Sequence, residues 1–218
     1  MSTPVSLAGR RLIVSAGPTF EDIDPVRFIG NRSSGKMGFA IAAAAARRGA
    51  EVVLIAGPVA LATPEGVRRV DVRSAAQMHA AVIAALPAAV YIGAAAVADY
   101  TPVQVAAGKI KKHDRHLTLE LVRTADILAE VAAHALRPRL VVGFAAETDN
   151  VEGHARRKLE QKKLDLIAGN RVGIAGTGFD SDDSAVTVYW AGGERGLGPA
   201  PKTELATGLL DLIAERLT

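Results

Sequence analysis

Short runs rich in Val and Ile recur along the 218 residues, and amphipathic or alanine-rich helical patterns fill the gaps between them. That alternation constrains the fold more than any other feature. Parallel strands need a crossover and a helix supplies it, so the pattern specifies a mostly parallel sheet with helices on both faces. Strands are expected at 11–15, 51–56, 68–72, 90–94, 140–144 and 164–168. Helices are expected at about 36–48, 75–86, 124–135, 150–163 and 203–216. Gly49, following Arg47 and Arg48, should end the first helix, since glycine accepts the left-handed turn and the cations suit the negative helix end. Thr63-Pro64-Glu65-Gly66 and Pro199-Ala200-Pro201 read as turns or loops. Two segments break the alternation. Residues 100–122, alternating at Leu117-Thr118-Leu119-Glu120-Leu121, read as a flap carrying an antiparallel strand. Residues 185–190, leading into Ala191-Gly192-Gly193, read as a strand entering a hairpin.

The length suits one α/β domain across 1–218, Rossmann-like in layout, with the flap and an antiparallel hairpin extension added to it. Hydrophobic residues at 49% and charged ones at 22% mark a globular chain. A net charge of +3 with only 4% aromatics argues against nucleic acid as a partner. The absence of cysteine removes disulfides, thiolate catalysis and thiolate metal sites. The N-terminus carries no basic region followed by an apolar core, and the apolar runs are too short for a helical membrane span, so a cytoplasmic protein without membrane contact is expected.

The run Phe28-Ile29-Gly30-Asn31-Arg32-Ser33-Ser34-Gly35-Lys36-Met37-Gly38 sets hydroxyls, a carboxamide, a cation and glycines before an alanine-rich helix. It reads as an anion-binding turn. The first amides of a helix lack internal partners and carry partial positive charge, Ser33 or Ser34 is expected to cap them, and Lys36 adds a mobile charge for a phosphate. The spacing resembles a P-loop, but Met37 stands where a hydroxyl should reach magnesium, and the preceding strand ends too far upstream. A capped helix with glycines for tight packing is the plain structural alternative.

In open parallel sheets ligands bind beyond the carboxyl ends of the strands. Ser15-Ala16-Gly17-Pro18-Thr19, Asp99, Ala145-Ala146-Glu147-Thr148 and Gly169-Asn170 all follow expected strands, so separate segments converge on one rim. Six blocks in order then resemble the phosphopantothenoylcysteine synthetase family over nearly the whole chain. They are Ser15-Ala16-Gly17-Pro18-Thr19, Asp24-Pro25-Val26-Arg27, Asn31-Arg32-Ser33-Ser34-Gly35-Lys36-Met37-Gly38, Ala94-Ala95-Ala96-Val97-Ala98-Asp99-Tyr100, Lys109-Ile110-Lys111-Lys112 and Gly143-Phe144-Ala145-Ala146-Glu147-Thr148.

The resemblance, to the bacterial CTP-using type, implies a two-step ligation in coenzyme A biosynthesis. The carboxylate of 4'-phosphopantothenate attacks the α-phosphate of CTP and releases pyrophosphate. The amine of L-cysteine then displaces CMP from the acyl-cytidylate. Magnesium accompanies the triphosphate. By the same resemblance Asn31 holds the activated intermediate and stabilises charge on its acyl oxygen, and Lys109 is a flap lysine that closes over the nucleotide. Ser33, Ser34, Gly35, Gly93, Ala94, Ala95, Phe144 and the stretch Val122, Arg123, Thr124, Ala125 would bind the nucleotide. Asp99 would serve the ribose or a magnesium ion, while Lys158 and Lys162, four apart on one helix face, would meet phosphates. Family members are dimers whose substrate site is completed by the partner subunit, and 185–193 is the expected contact. Relatives are often fused behind a flavin-dependent decarboxylase. ATP in place of CTP stays open, as does the identity of the cysteine-binding residues.

The five histidines, His79, His113, His116, His134 and His154, lack metal-site spacing and receive no catalytic role. Glu147 reads as a polar wall residue. Two other classes fit the residues less well. A nicotinamide-dependent reductase lacks its three-glycine loop, since Ala16-Gly17-Pro18-Thr19 follows the first strand. A non-catalytic nucleotide-binding module does not require both Asn31 and the flap lysine.

Overall fold

β1 (Arg11–Ala16) buries Leu12, Val14 and Ala16 on one face and Ile13 and Ser15 on the other, as a central strand of a two-faced sheet must. The computed structural model describes residues 6–111, 116–172 and 181–217. After β1 a short hairpin forms from β2 (Phe20–Asp22) and β3 (Phe28–Gly30), closed by Phe20 and Phe28 rings stacked 3.8 Å apart. α1 (Lys36–Arg47) then packs on β1. A Cβ added at Gly38 would stand 2.4 Å from the Ala16 Cβ, so only glycine allows that approach.

β4 (Glu51–Ala56) and β5 (Val67–Asp71) extend the sheet. α2 (Ala75–Ala84) starts on a reciprocal cap between Ser74 and Gln77, then leads to β6 (Val90–Gly93). β7 (Tyr100–Pro102) and β8 (Leu121–Arg123) pair antiparallel outside the main sheet and form the base of the flap. α3 (Ile127–Ala133), β9 (Leu140–Glu147), α4 (Val151–Gln161) and β10 (Leu166–Arg171) follow. β11 (Asp183–Trp190) and β12 (Gly193–Pro201) make an antiparallel hairpin before α5 (Lys202–Leu217).

Among the described residues the main sheet has eight strands in the order β12-β11-β10-β9-β6-β1-β4-β5. Pairing is parallel from β5 through to β10 and antiparallel at β11 and β12. α1 and α5 cover one face, with Phe39, Ile41, Leu209, Leu210, Leu212 and Ile213 packed on Leu12, Leu54, Ile92 and Val142. α2, α3 and α4 cover the other, setting Met78, Val82, Ile127, Val131 and Leu159 on Ile13, Ile55, Val141 and Ile167. Each fully buried aliphatic chain of this kind stabilises the fold by about 1.5–3 kcal/mol. The expected α/β class, with helices on both faces, a flap and an antiparallel extension, is borne out.

Several local expectations are corrected. Pro199-Ala200-Pro201 is not a loop but the end of β12, an edge strand, where a missing N–H costs no internal ladder bond. The flap strand is β8 at 121–123, with 117–120 outside it. Phe28-Ile29-Gly30 belongs to a strand rather than to the turn. α3 begins later than expected because the Asp126 carboxylate accepts the Ala129 N–H at 3.1 Å and fixes the helix start there. Neither Ser33 nor Ser34 caps α1. Its N-cap is Gly35 at φ 76°, without a side-chain cap, and the Ser33 hydroxyl instead accepts the Gly35 N–H at 3.3 Å. Lys112 and His113 lie outside the described residues.

Candidate functional site

The parallel strands lie in the order β5-β4-β1-β6-β9-β10, so successive crossovers run in opposite directions from the β1–β6 pair. Loops leaving the carboxyl ends of those two strands diverge, and a crevice opens between them. A cleft of about 930 Å³ fills it, reached by Ser15 of β1, Gly93 of β6, Phe144 of β9 and Asn170 of β10.

Backbone hydrogen bonds hold the rim. Ala96 N–H donates to the Gly17 carbonyl at 2.9 Å, and Ala98 N–H donates to the Thr19 hydroxyl at 2.9 Å. The Thr124 hydroxyl donates to the Ala98 carbonyl at 2.6 Å, which brings the segment after β8 to the same edge. Asn31 joins the group by donating from Nδ2 to the Val97 carbonyl at 2.9 Å. Rim loops from β1, β3, β6 and β8 thus form one connected surface.

Asn31, Ser33, Ser34, Gly35, Gly93, Ala94, Ala95, Asp99, Arg123, Thr124, Ala125, Phe144, Lys158 and Lys162 all line the cleft. Val122 and Lys109 do not; both are exposed. Lys109 neighbours an anchored residue, however. The buried Asp24 carboxylate accepts the Ile110 N–H at 3.1 Å, and Arg27 Nη2 donates to the Ile110 carbonyl at 2.8 Å. Burial alone would push Asp24 upward, but the amides of Val26, Ile110 and Arg27 together with the Arg27 guanidinium outweigh it and hold the carboxyl well below the usual range.

α1 presents its first turn to the cleft with no acidic side chain in that turn, so its partial positive charge faces the cavity. Across the cleft, Lys158 donates to Glu147 at 2.7 Å and Lys162 pairs with Asp126 at 2.8 Å. His154 Nδ1 lies 3.0 Å from the second Glu147 oxygen. Burial raises the Glu147 carboxyl, yet the bonds and charges of Lys158 and His154 prevail and lower it. Glu147 therefore holds the Lys158 ammonium at the wall.

Sequence reasoning missed Tyr91, whose hydroxyl meets that of Ser15 at 3.0 Å beneath the cleft and is pushed up to about 12 by burial. It also missed Ser184 and Lys202, which line the cleft from the antiparallel side. Lys202 had a legible signal, a basic residue opening a helix where an acidic one is favoured.

Among the described residues no group of three or more His, Asp or Glu side chains could hold a metal by itself. Asp99 and Asp126 supply carboxylates at the wall. That set suits a magnesium ion that arrives on a polyphosphate, which needs one or two carboxylates beside phosphate and water.

The family model described as the DNA/pantothenate metabolism flavoprotein C-terminal domain matches residues 7–217. The chain belongs to this family. As a member of the DNA/pantothenate metabolism flavoprotein C-terminal domain family, it is 50% identical over 217 residues to the coenzyme A biosynthesis bifunctional protein CoaBC of Vibrio cholerae, covering 98% of this chain and 54% of that protein. The protein of the same description from Escherichia coli K12 is 51% identical over 209 residues, covering 94% of this chain and 52% of its own length. The crystal structure of the C-terminal domain of a CoaBC superimposes with a TM-score of 0.83 at 40% identity, covering 99% of this chain and 98% of that domain. This chain thus spans about half the length of the curated relatives it matches, and the kinship expected from the six blocks is borne out.

Proposed function

We propose that the chain is a phosphopantothenate–cysteine ligase of coenzyme A biosynthesis, one synthetase domain across 1–218, working in the cytoplasm. One observation carries the reading: Asn31, the Gly35 turn, the 93–99 loop, the 123–125 segment, and Lys158 with Lys162 meet in a single cleft at the topological switch point. The names of the relatives, all coenzyme A biosynthesis proteins, agree with it.

In the first step a carboxylate oxygen of 4'-phosphopantothenate bonds to the α-phosphorus of CTP while the α–β anhydride bond breaks and pyrophosphate leaves. In the second, the L-cysteine amine adds to the acyl carbon, CMP leaves with the bonding pair, the nitrogen loses a proton and the amide remains. The amides of Gly35 and its successors and the Ser33 and Ser34 hydroxyls receive phosphate oxygens. Gly93, Ala94, Ala95 and Phe144 admit the base and ribose, with the backbone from Val122 to Ala125 alongside. Lys158 on α4 and Lys162 at its C-terminal cap offset the charge of the triphosphate. Asn31 donates to the acyl oxygen as charge develops there. Lys109 reaches the nucleotide when the flap closes. Asp99 would help to hold a magnesium ion, which would supply charge neutralisation at the triphosphate.

A homodimer completes the proposal. Among the described residues the exposed large apolar side chains, Leu136 apart, gather on two hairpin arms, with Val26 and Phe28 at β2–β3, and Tyr100, Val103, Val105, Leu117, Leu121 and Val122 at β7–β8. No side chain of the 185–193 hairpin is among them, so the arms are the better candidate for the subunit contact. The partner module is a flavin-dependent decarboxylase, fused or separate.

Substrate labelled with oxygen-18 in the carboxylate tests the route. One label in the released nucleoside monophosphate, with CTP or with ATP, is expected. Label in inorganic phosphate would overturn the acyl-nucleotide route, and binding without any turnover would favour a non-catalytic module.

A further inference from the structure

Away from the cleft, a second cavity of about 390 Å³ lies between the end of α1 and the middle of α5, lined by Ser6, Ala44, Arg47, Arg48 and Thr207. α1 is 12 residues long, so its last turn stands about 16 Å from the first turn that faces the cleft. The two cavities are separate. The Leu7 N–H donates to the Arg48 carbonyl at 3.0 Å, which brings Ser6 to the wall of the second one.

The polar groups of that wall are donors in search of an acceptor. The Arg48 side chain is only 6% exposed; its Nη2 donates to the Thr207 carbonyl at 3.0 Å and pairs with Asp211 at 2.8 Å, yet Nη1 is buried without a hydrogen-bond partner. A buried guanidinium N–H is costly to leave unmatched, and an orphan of this kind marks a missing acceptor. Ser6 Oγ accepts the Ala8 N–H at 3.2 Å, so its proton is still available. The Thr207 hydroxyl gives its proton to the Thr203 carbonyl and adds no donor. Asp211 offsets the charge of Arg48. Arg47 is exposed and has no ion-pair partner among the described residues, so it leaves the cavity with a net positive charge. Two guanidinium groups and a hydroxyl facing one hollow suit a group that only accepts, with two or more oxygens for the planar forks. We propose that this cavity is a second, non-catalytic binding site for a small oxyanion. The shared ligand chemistry is an anionic oxygen pair, from a phosphate or from a carboxylate. The site does not depend on the ligase reading.

Amide NMR of the full chain, titrated with inorganic phosphate and separately with acetate against chloride at matched ionic strength, reads the site by position. Saturable shifts are expected at Ser6, Arg47, Arg48 and Thr207, with a midpoint of their own relative to any shift at the cleft residues Gly35 and Lys36. Saturation by phosphate alone assigns a phosphate group, and saturation by acetate alone assigns a carboxylate. Arg47→Gln, a change at an exposed position, should weaken binding about tenfold, the usual worth of a charge-assisted hydrogen bond, and leave the shifts at the cleft unchanged. Arg48→Lys keeps a cation for Asp211 but loses the fork, and should weaken it likewise. Shifts that do not saturate with either anion, or an affinity unaltered in Arg47→Gln, would overturn the proposal.

Discussion

The Asn31 carboxamide donates to the Val97 carbonyl at 2.9 Å, which ties the turn before α1 to the loop leaving β6. Those two segments border the switch point, so the bond spans the cleft mouth and fixes the amide before any substrate arrives. Preorganised donors of this kind are worth about 10² to 10³ in rate. Asn31→Ala should slow cysteine-dependent amide formation by that factor while pyrophosphate release persists and acyl-nucleotide accumulates. Quenched-flow mass spectrometry reads both. Equal loss of both steps would remove Asn31 from the second one.

Glu147 carries a pH signature. Its folded carboxyl lies below its ordinary value of 4.5. The stabilisation it contributes is therefore complete above about 4.5 and is lost as pH falls through the lowered value. Glu147→Gln should melt below the wild type at neutral pH, and the gap should close on acidification. A gap that is constant with pH would show that Lys158 and His154 do not set the Glu147 charge.

Asp24 accepts hydrogen bonds from the Val26, Arg27 and Ile110 amides and from the Arg27 guanidinium. Asp24→Asn keeps the size but loses the charge, so the anchor beside Lys109 should loosen. Trypsin should then cut at Lys109 or Lys111 faster than in the wild type, with the melting of the main domain less affected. Unchanged cleavage would separate the anchor from the flap.

Gly38→Ala should destabilise by about 1–3 kcal/mol, because overpacking of a filled contact forces backbone shifts. The new methyl would collide with Ala16 at 2.4 Å, so α1 must move off β1. Urea unfolding measures the loss, and a neutral result would mean that α1 can shift without cost.

The parallel core was readable because hydrophobic periodicity is local: β4 runs over the expected residues, and β1, α1 and β6 differ from expectation only at an end. β2, β3 and β12 were not, since three-residue strands and a Gly- and Pro-rich edge are specified by partners rather than by their own pattern. The rim was legible for a topological reason, as ligands gather at strand ends. The bond from Arg27 to Ile110 spans 83 residues, and the cover of one sheet face depends on α5 returning to pack beside α1, which no local window contains.

The measurement that tests the central claim most directly is product formation from 4'-phosphopantothenate, L-cysteine, magnesium and CTP or ATP, followed by mass spectrometry. The amide is expected, with one nucleoside monophosphate and one pyrophosphate per product, and none without cysteine. No pyrophosphate with either nucleotide would contradict the account.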